Sequence, residues 1–285
     1  MTPNSVVTGI VPGNSIVAIT ACVIIATLMQ ALDTTIANVA LPHMQGSLSA
    51  TSSQINWVLT SYIVAAAIMT PATSILESWF GRRKLFMFSI AGFVLASMLC
   101  GTSTSLSEIV IFRLLQGIFG APLVPLAQAT LLDTYPESKR GQAMAIFGLG
   151  VMLGPILGPT LGGWLTENYN WRWVFYVNVP VGALALMLAL AVLPDSPREK
   201  KRLDWLGFAS LGLAVASLQV FLDRGEQLDW FASREIMLEF AIFITGLWIF
   251  VVHTAFNSDG FVDRRLFFDR NFVVGIILAF VVGAV

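Results

Sequence analysis

The chain has 285 residues, 56% of them hydrophobic and only 12% charged, and its mean hydropathy is +0.78. That much apolar surface excludes an ordinary soluble domain and indicates a polytopic membrane protein. The net charge of −1 says nothing about partners, because in such a protein the placement of charge matters more than its sum.

Apolar runs of about 20 residues, enough to cross a bilayer, lie near residues 16–38, 55–76, 85–103, 109–131, 143–165, 174–193, 204–222 and 236–256. A ninth run begins near residue 272 and stops at Val285, so the chain is expected to be the front part of something longer, a truncation or a fragment. The N-terminus has no basic stretch and no small-residue cleavage site, so the first run reads as a permanent span rather than a signal peptide. Lys and Arg set the orientation. Twelve of them (Arg82, Arg83, Lys84, Lys139, Arg140, Arg198, Lys200, Lys201, Arg202, Arg264, Arg265 and Arg270) follow even-numbered spans. Only Arg172, Arg224 and Arg234 fall in the opposite loops, which places the N-terminus in the cytoplasm. Trp57, Trp171, Trp173 and Trp230 then form an outer aromatic belt.

Span one carries Gln30, Asp33 and Thr34 on one face, with Asp33 about a turn from its outer end. Span four repeats the theme: Arg113, Gln116, Gly117 and Gly120 share a face at helical spacing, with Arg113 about a turn from the outer end. A charge inside a span is expensive and is a functional candidate by default. The two charges lie at similar depth and can pair if spans one and four are neighbours. A carboxylate that alternates between an arginine, a proton and a cationic substrate is a simple coupling device. The bland alternatives are a static packing partner or a side chain that reaches the outer water.

Span five holds Gly150, Gly154, Gly158 and Gly162 at every fourth position, a groove that admits a neighbouring backbone. Pro155 and Pro159 take the hydrogen-bond donors away from the carbonyls of Val151 and Pro155, so a bend or pivot is expected here. Hydrocarbon offers no replacement donors, which turns that backbone toward protein or a cavity. The remaining charges near span ends, Glu108, Asp133, Glu235 and Glu239, read as interfacial. The basic linker 194–203 reads as a topology determinant, with lipid headgroup contact second, and the segment 257–271 mixes Asp259, Asp263 and Asp269 with its arginines. His43 in an outer loop, His253 near the inner end of span eight, Cys22 and Cys100 show no metal or disulfide spacing. Some of the ten Met residues suit an adaptable apolar pocket. The loops are short and contain no HExxH, GxSxG or glycine-rich phosphate loop, so no enzyme is expected. Neither a metal, a cofactor nor a nucleic-acid partner is expected.

Several stretches together resemble the major facilitator superfamily, and in particular its fourteen-helix drug/proton antiporters of the EmrB/QacA type. Leu32 to Pro42 is similar to that group's span-one motif, and Gly81-Arg82-Arg83-Lys84 to the end of its cytoplasmic loop motif. Arg113-Leu114-Leu115-Gln116-Gly117 is similar to the span-four motif associated with proton coupling. Gly154-Pro155-Ile156-Leu157-Gly158-Pro159 with Gly162-Gly163 is similar to the span-five antiporter motif. The stretches Trp171 to Pro180 and Leu222 to Trp230 resemble the same group. The loop motif departs from the pattern at Ser74, Ser78 and Trp79, with Glu77 one place early and in position to substitute for the usual acid.

The resemblance implies an all-α fold. Residues 1–203 would form a six-helix bundle of two inverted three-helix repeats, 204–256 a two-helix insertion, and 257–285 a linker and the start of a ninth helix. It further implies efflux of hydrophobic or amphipathic compounds across the bacterial inner membrane, driven by the proton gradient. Asp33, Arg113, Gln30 and Gln116 would serve coupling or substrate. A periplasmic adaptor and an outer-membrane channel would be partners. Two other readings remain: an importer of a small metabolite on the same fold, or a truncated, non-transporting interaction module.

Overall fold

The computed structural model describes residues 13–195, 203–257 and 268–284. Twelve α-helices lie among them, in chain order: α1 Gly13–Ser47, α2 Ser52–Ile55, α3 Trp57–Phe80, α4 Arg82–Thr102, α5 Leu106–Gly120, α6 Leu123–Thr134, α7 Arg140–Asn168, α8 Trp173–Tyr176, α9 Asn178–Val192, α10 Trp205–Gly225, α11 Arg234–Phe256 and α12 Arg270–Ala284. Strands are absent among the described residues. Joined across short interruptions, these helices give eight segments long and apolar enough to span a bilayer. The chain divides into two compact units, Met1–Glu199 and Lys200–Val285. Arg198, Lys200, Lys201, Arg202, Asp259, Asp263, Arg264 and Arg265 lie outside the described residues, and so does the reading placed on them.

The first unit contains six of the spans. Span one (α1) packs mainly on span five (α7), and span four (α5 and α6) has its main partner in span two (α3). Exchanging spans one and four, and two and five, maps one contact onto the other, as an inverted repeat requires. Two apolar clusters fill the interior. One joins Val23, Ala26 and Met29 of α1 to Phe86, Ile90 and Phe93 of α4 and Leu126 of α6. The other gathers Ile36, Ala40 and Met44 of α1 with Ile109, Val174 and Phe175. Between them, at Asp33, lies a polar layer. Short turns hold the ends: Thr51 and Gln54 form a capping box on α2, and Ser105 caps α5 through the amide of Glu108. Gly81 makes the corner from α3 to α4 with φ of 81°, a conformation that only glycine adopts without strain.

Four expectations need correction. Asp33 lies fourteen residues before Ser47, or about 21 Å along α1, because the helix continues past its apolar stretch through Pro42 and His43. Arg113 is likewise seven residues inside α5, two turns rather than one. Hydropathy marks where a segment is greasy, whereas the helix ends where its hydrogen bonds end. His43 therefore belongs to α1 and not to a loop, although it is exposed. Trp171 is not a belt residue: it is only 5% exposed and packs edge-on against Phe175. One interruption was not expected. Span four breaks at Ala121–Pro122, where Pro122 and Pro125 deny donors to the carbonyls of Ile118 and Ala121. Span five, by contrast, runs as a single α-helix of 29 residues through Pro155 and Pro159.

In the second unit α10 and α11 form an antiparallel hairpin. A Cβ at Gly246 would meet the Ser210 carbonyl oxygen at 3.0 Å, so these backbones approach closely. One end of the hairpin is tied by Arg224 and Glu235. At the other end His253 Nε2 lies 2.8 Å from Asp204 Oδ1, and Asp204 also caps α10 through the Gly207 amide.

Candidate functional site

Asp33 and Arg113 form an ion pair sealed inside the first unit, 1% and 0% exposed, with Arg113 Nη1 2.6 Å from Asp33 Oδ2. The pair is the centre of a hydrogen-bonded layer. Gln116 Nε2 donates to Asp33 Oδ1 at 2.8 Å, while its Oε1 accepts from Arg113 Nη1 at 2.8 Å. The spacing of three residues between Arg113 and Gln116 puts both on one face of α5, from which their side chains reach Asp33 of α1. Arg113 Nε donates to the Val58 carbonyl oxygen of α3 at 3.0 Å. The Tyr62 ring covers the guanidinium, with Cζ 4.3 Å from the ring centroid, a cation–π contact in a dry environment.

The layer also recruits residues that the motifs did not single out. Asn178, at the start of α9, donates to Asp33 Oδ1 at 2.7 Å and to Ser97 Oγ of α4 at 2.9 Å. Ser97 in turn donates to the Phe175 carbonyl oxygen at 2.9 Å. Cys100 Sγ lies 3.7 Å from Gln116 Oε1. A lone polar residue such as Asn178 in an apolar segment was the available signal, because inside a membrane each such group needs a partner. Gln30 sits one turn before Asp33 on α1, half-buried, and does not join the pair directly. Its Oε1, the Tyr62 hydroxyl and Arg113 Nη2 are buried without a hydrogen-bond partner. With the carboxylate charged, Arg113, Gln116 and Asn178 all donate to it. Protonation replaces an acceptor with a donor and forces these three to rearrange.

The glycine groove of α7 rests on the other side of α1. A Cβ at Gly150 would lie 2.6 Å from Ile24 Cγ2, one at Gly154 2.5 Å from Ala31 Cβ, and one at Gly162 3.2 Å from the Ile36 carbonyl oxygen. At Gly158 it would collide with Thr35 Oγ1. The Thr35 hydroxyl also donates across the interface to the Gly154 carbonyl oxygen at 3.2 Å. Thus the groove that brings α7 onto α1 abuts the helix carrying Asp33, two residues away at Thr35. Gly163 faces open space and takes no part. Pro155 and Pro159 lie on the exposed side of α7.

The loop-motif residues assemble elsewhere, at the α3–α4 corner. Arg82 Nε lies 2.7 Å from Glu77 Oε1, and its Nη1 lies 2.5 Å from Asp133 Oδ2 at the end of α6. Arg83 donates to the Leu190 carbonyl oxygen of α9 at 2.8 Å and stands 3.6 Å from Asp195. Lys84 is exposed. Glu77, Gly81, Arg82 and Arg83 therefore clasp the ends of spans two, four and six together, well away from Asp33. On the opposite end Arg172 donates to the carbonyl oxygens of Gly101, at 2.9 Å, and Ser103. Among the described residues no group of His, Cys, Asp and Glu is placed to hold a metal ion.

Residues 23–285 match the model of the Major Facilitator Superfamily. The chain is 42% identical over 265 residues to the multidrug export protein EmrB of Escherichia coli strain K12, covering 92% of this chain and 52% of that protein. It is 41% identical over 255 residues to the fatty acid resistance protein FarB of Neisseria gonorrhoeae, covering 89% and 50% respectively. The chain spans about half the length of these curated relatives. Its fold is similar to that of a crystallised peptide transporter, POT, bound to sulfate, with a TM-score of 0.61 at 14% identity over 85% of this chain and 52% of that one. The chain belongs to the major facilitator superfamily, and its similarity within that family runs to the EmrB-type transporters.

Proposed function

We propose that the full-length protein expels hydrophobic or amphipathic compounds from the bacterial cytoplasm in exchange for protons, across the inner membrane and with its N-terminus inside. The observation that carries this reading is the Asp33–Arg113 pair, fully desolvated at mid-helix, with Gln116 and Asn178 donating to the carboxylate and the Val58 carbonyl oxygen accepting from the guanidinium. A charged pair at this depth is expensive to maintain and is retained where charge movement is the task. Protonation of Asp33 loosens α1 from α5 and α9, and deprotonation re-forms the layer. The identities of the relatives, a multidrug export protein and a fatty acid resistance protein, support export of apolar cargo. We further infer, from the resemblance to the EmrB type alone, that the working form engages a periplasmic adaptor and an outer-membrane channel. The energy source is the proton gradient, with no cofactor.

Asp33→Asn in the full-length gene product tests the reading. It removes the charge and keeps the shape, so membrane insertion stays normal while pH-gradient-driven efflux of a lipophilic dye falls to background. Dye efflux that keeps its wild-type dependence on the pH gradient in this variant would overturn the proposal.

A further inference from the structure

The polar layer is sealed unevenly. On the side of α4 and α9 its hydrogen bonds run in a closed series, from Asp33 through Asn178 and Ser97 to the Phe175 carbonyl oxygen. On the side of α3 three buried atoms from three helices have no partner: Gln30 Oε1 of α1, the Tyr62 hydroxyl and Arg113 Nη2 of α5. Tyr62 is only 4% exposed, and Gln30 and Thr34 stand beside its hydroxyl. Gly120 packs closely against this hydroxyl, where a Cβ would come within 3.2 Å of the Tyr62 oxygen and 3.1 Å of the Phe93 ring. Gln30 and Thr34 are half-buried and continue at the same spacing to Asn38, which is exposed, so this polar row leads from the sealed layer to the open side of α1. A closed series offers water nothing to bond. Buried atoms without partners do, because a water that reaches them replaces a missing hydrogen bond.

We propose that protons reach Asp33 past Tyr62 and Gln30, and that Tyr62 is the gate of this route. This rests on Asp33 being the group that titrates during transport. Water held between the Tyr62 hydroxyl and Gln30 Oε1 passes a proton to an Asp33 carboxylate oxygen. The hydroxyl gives up one proton and takes another, Asp33 becomes neutral, and Arg113 keeps its charge. The titratable or charged groups facing Asp33 are Arg113 of α5, Tyr62 of α3 and Cys100 of α4. α9 carries no titratable residue, and α7 carries only Arg140 and Glu167, at its two ends.

The test uses the full-length gene product in liposomes, a rapid pH jump, and the infrared carbonyl band of a protonated carboxyl group that Asp33→Asn removes. Tyr62→Phe keeps the ring over Arg113 and deletes only the hydroxyl; Gln30→Leu deletes the amide from the other helix. Each is expected to slow the rise of the band by about a hundredfold, the low edge of what a proton-transferring group contributes. The pH midpoint of the band should stay at its wild-type value. A wild-type rate in both variants, with or without a moved midpoint, would overturn the route and leave the coupling role of Asp33 standing. A band that survives Asp33→Asn would overturn both.

Discussion

Two contacts in the first unit correspond under the exchange of its halves, α7 on α1 and α5 on α3, yet they are built differently. The first is long: four glycines from Gly150 to Gly162 lie along roughly 18 Å of helix, and one hydroxyl bond from Thr35 crosses it. The second is short: Gly117, where a Cβ would run into the Tyr62 carbonyl oxygen, is followed by Gly120 and then the break at Ala121–Pro122. What completes the short contact is Arg113, bonded to the Val58 carbonyl oxygen. Without a hydrophobic drive between helices in lipid, either close packing or hydrogen bonds must hold them. The α7 contact relies on shape and has no charged group to exchange. The α5 contact relies on a charged group whose partners can change. The side of α1 that meets α5 and α9 is thus the one suited to switching.

The largest expected effect comes from breaking the charged contact. Arg113→Ala leaves a buried carboxylate unpaired and should cost about 3–5 kcal/mol of stability, read from unfolding of the detergent-solubilised protein. Combining it with Asp33→Asn should recover much of that loss, and strict additivity of the two would contradict the pairing. Next comes the shape contact: Gly158→Val drives a branched side chain into Thr35 and should cost about 1–3 kcal/mol, with no recovery on adding Asp33→Asn. The smallest effect sharpens the comparison by showing which glycines count. Gly163→Ala meets nothing within 4 Å and should shift stability by no more than about 0.5 kcal/mol, so a large loss there would deny that the groove ends at Gly162.

The spans and the two facing charges were legible because membrane burial writes itself in composition and because a charge in an apolar run stands out. The glycine groove was legible from its period of four. The depth of Asp33 was not, since α1 continues through Pro42 and His43, residues that read as the edge of a span. Nor was the break in span four: Pro122 and Pro125 look no different in the chain from Pro155 and Pro159, through which α7 continues. A proline removes a donor everywhere, and packing around it decides whether the helix stops. Asn178 was given no role beyond its place in the Trp171 to Pro180 stretch, and Ser97 and Tyr62 went unremarked, because single polar residues in apolar segments acquire meaning only when the folded chain brings them to one place.

The bond from Arg113 to residue 58 goes to a carbonyl of the main chain, which every amino acid supplies. Drift at position 58 therefore leaves this anchor intact, whatever side chain is substituted there. Related chains are free to vary residue 58 while keeping the arginine, and the covariation that usually betrays a contact will be silent for this one.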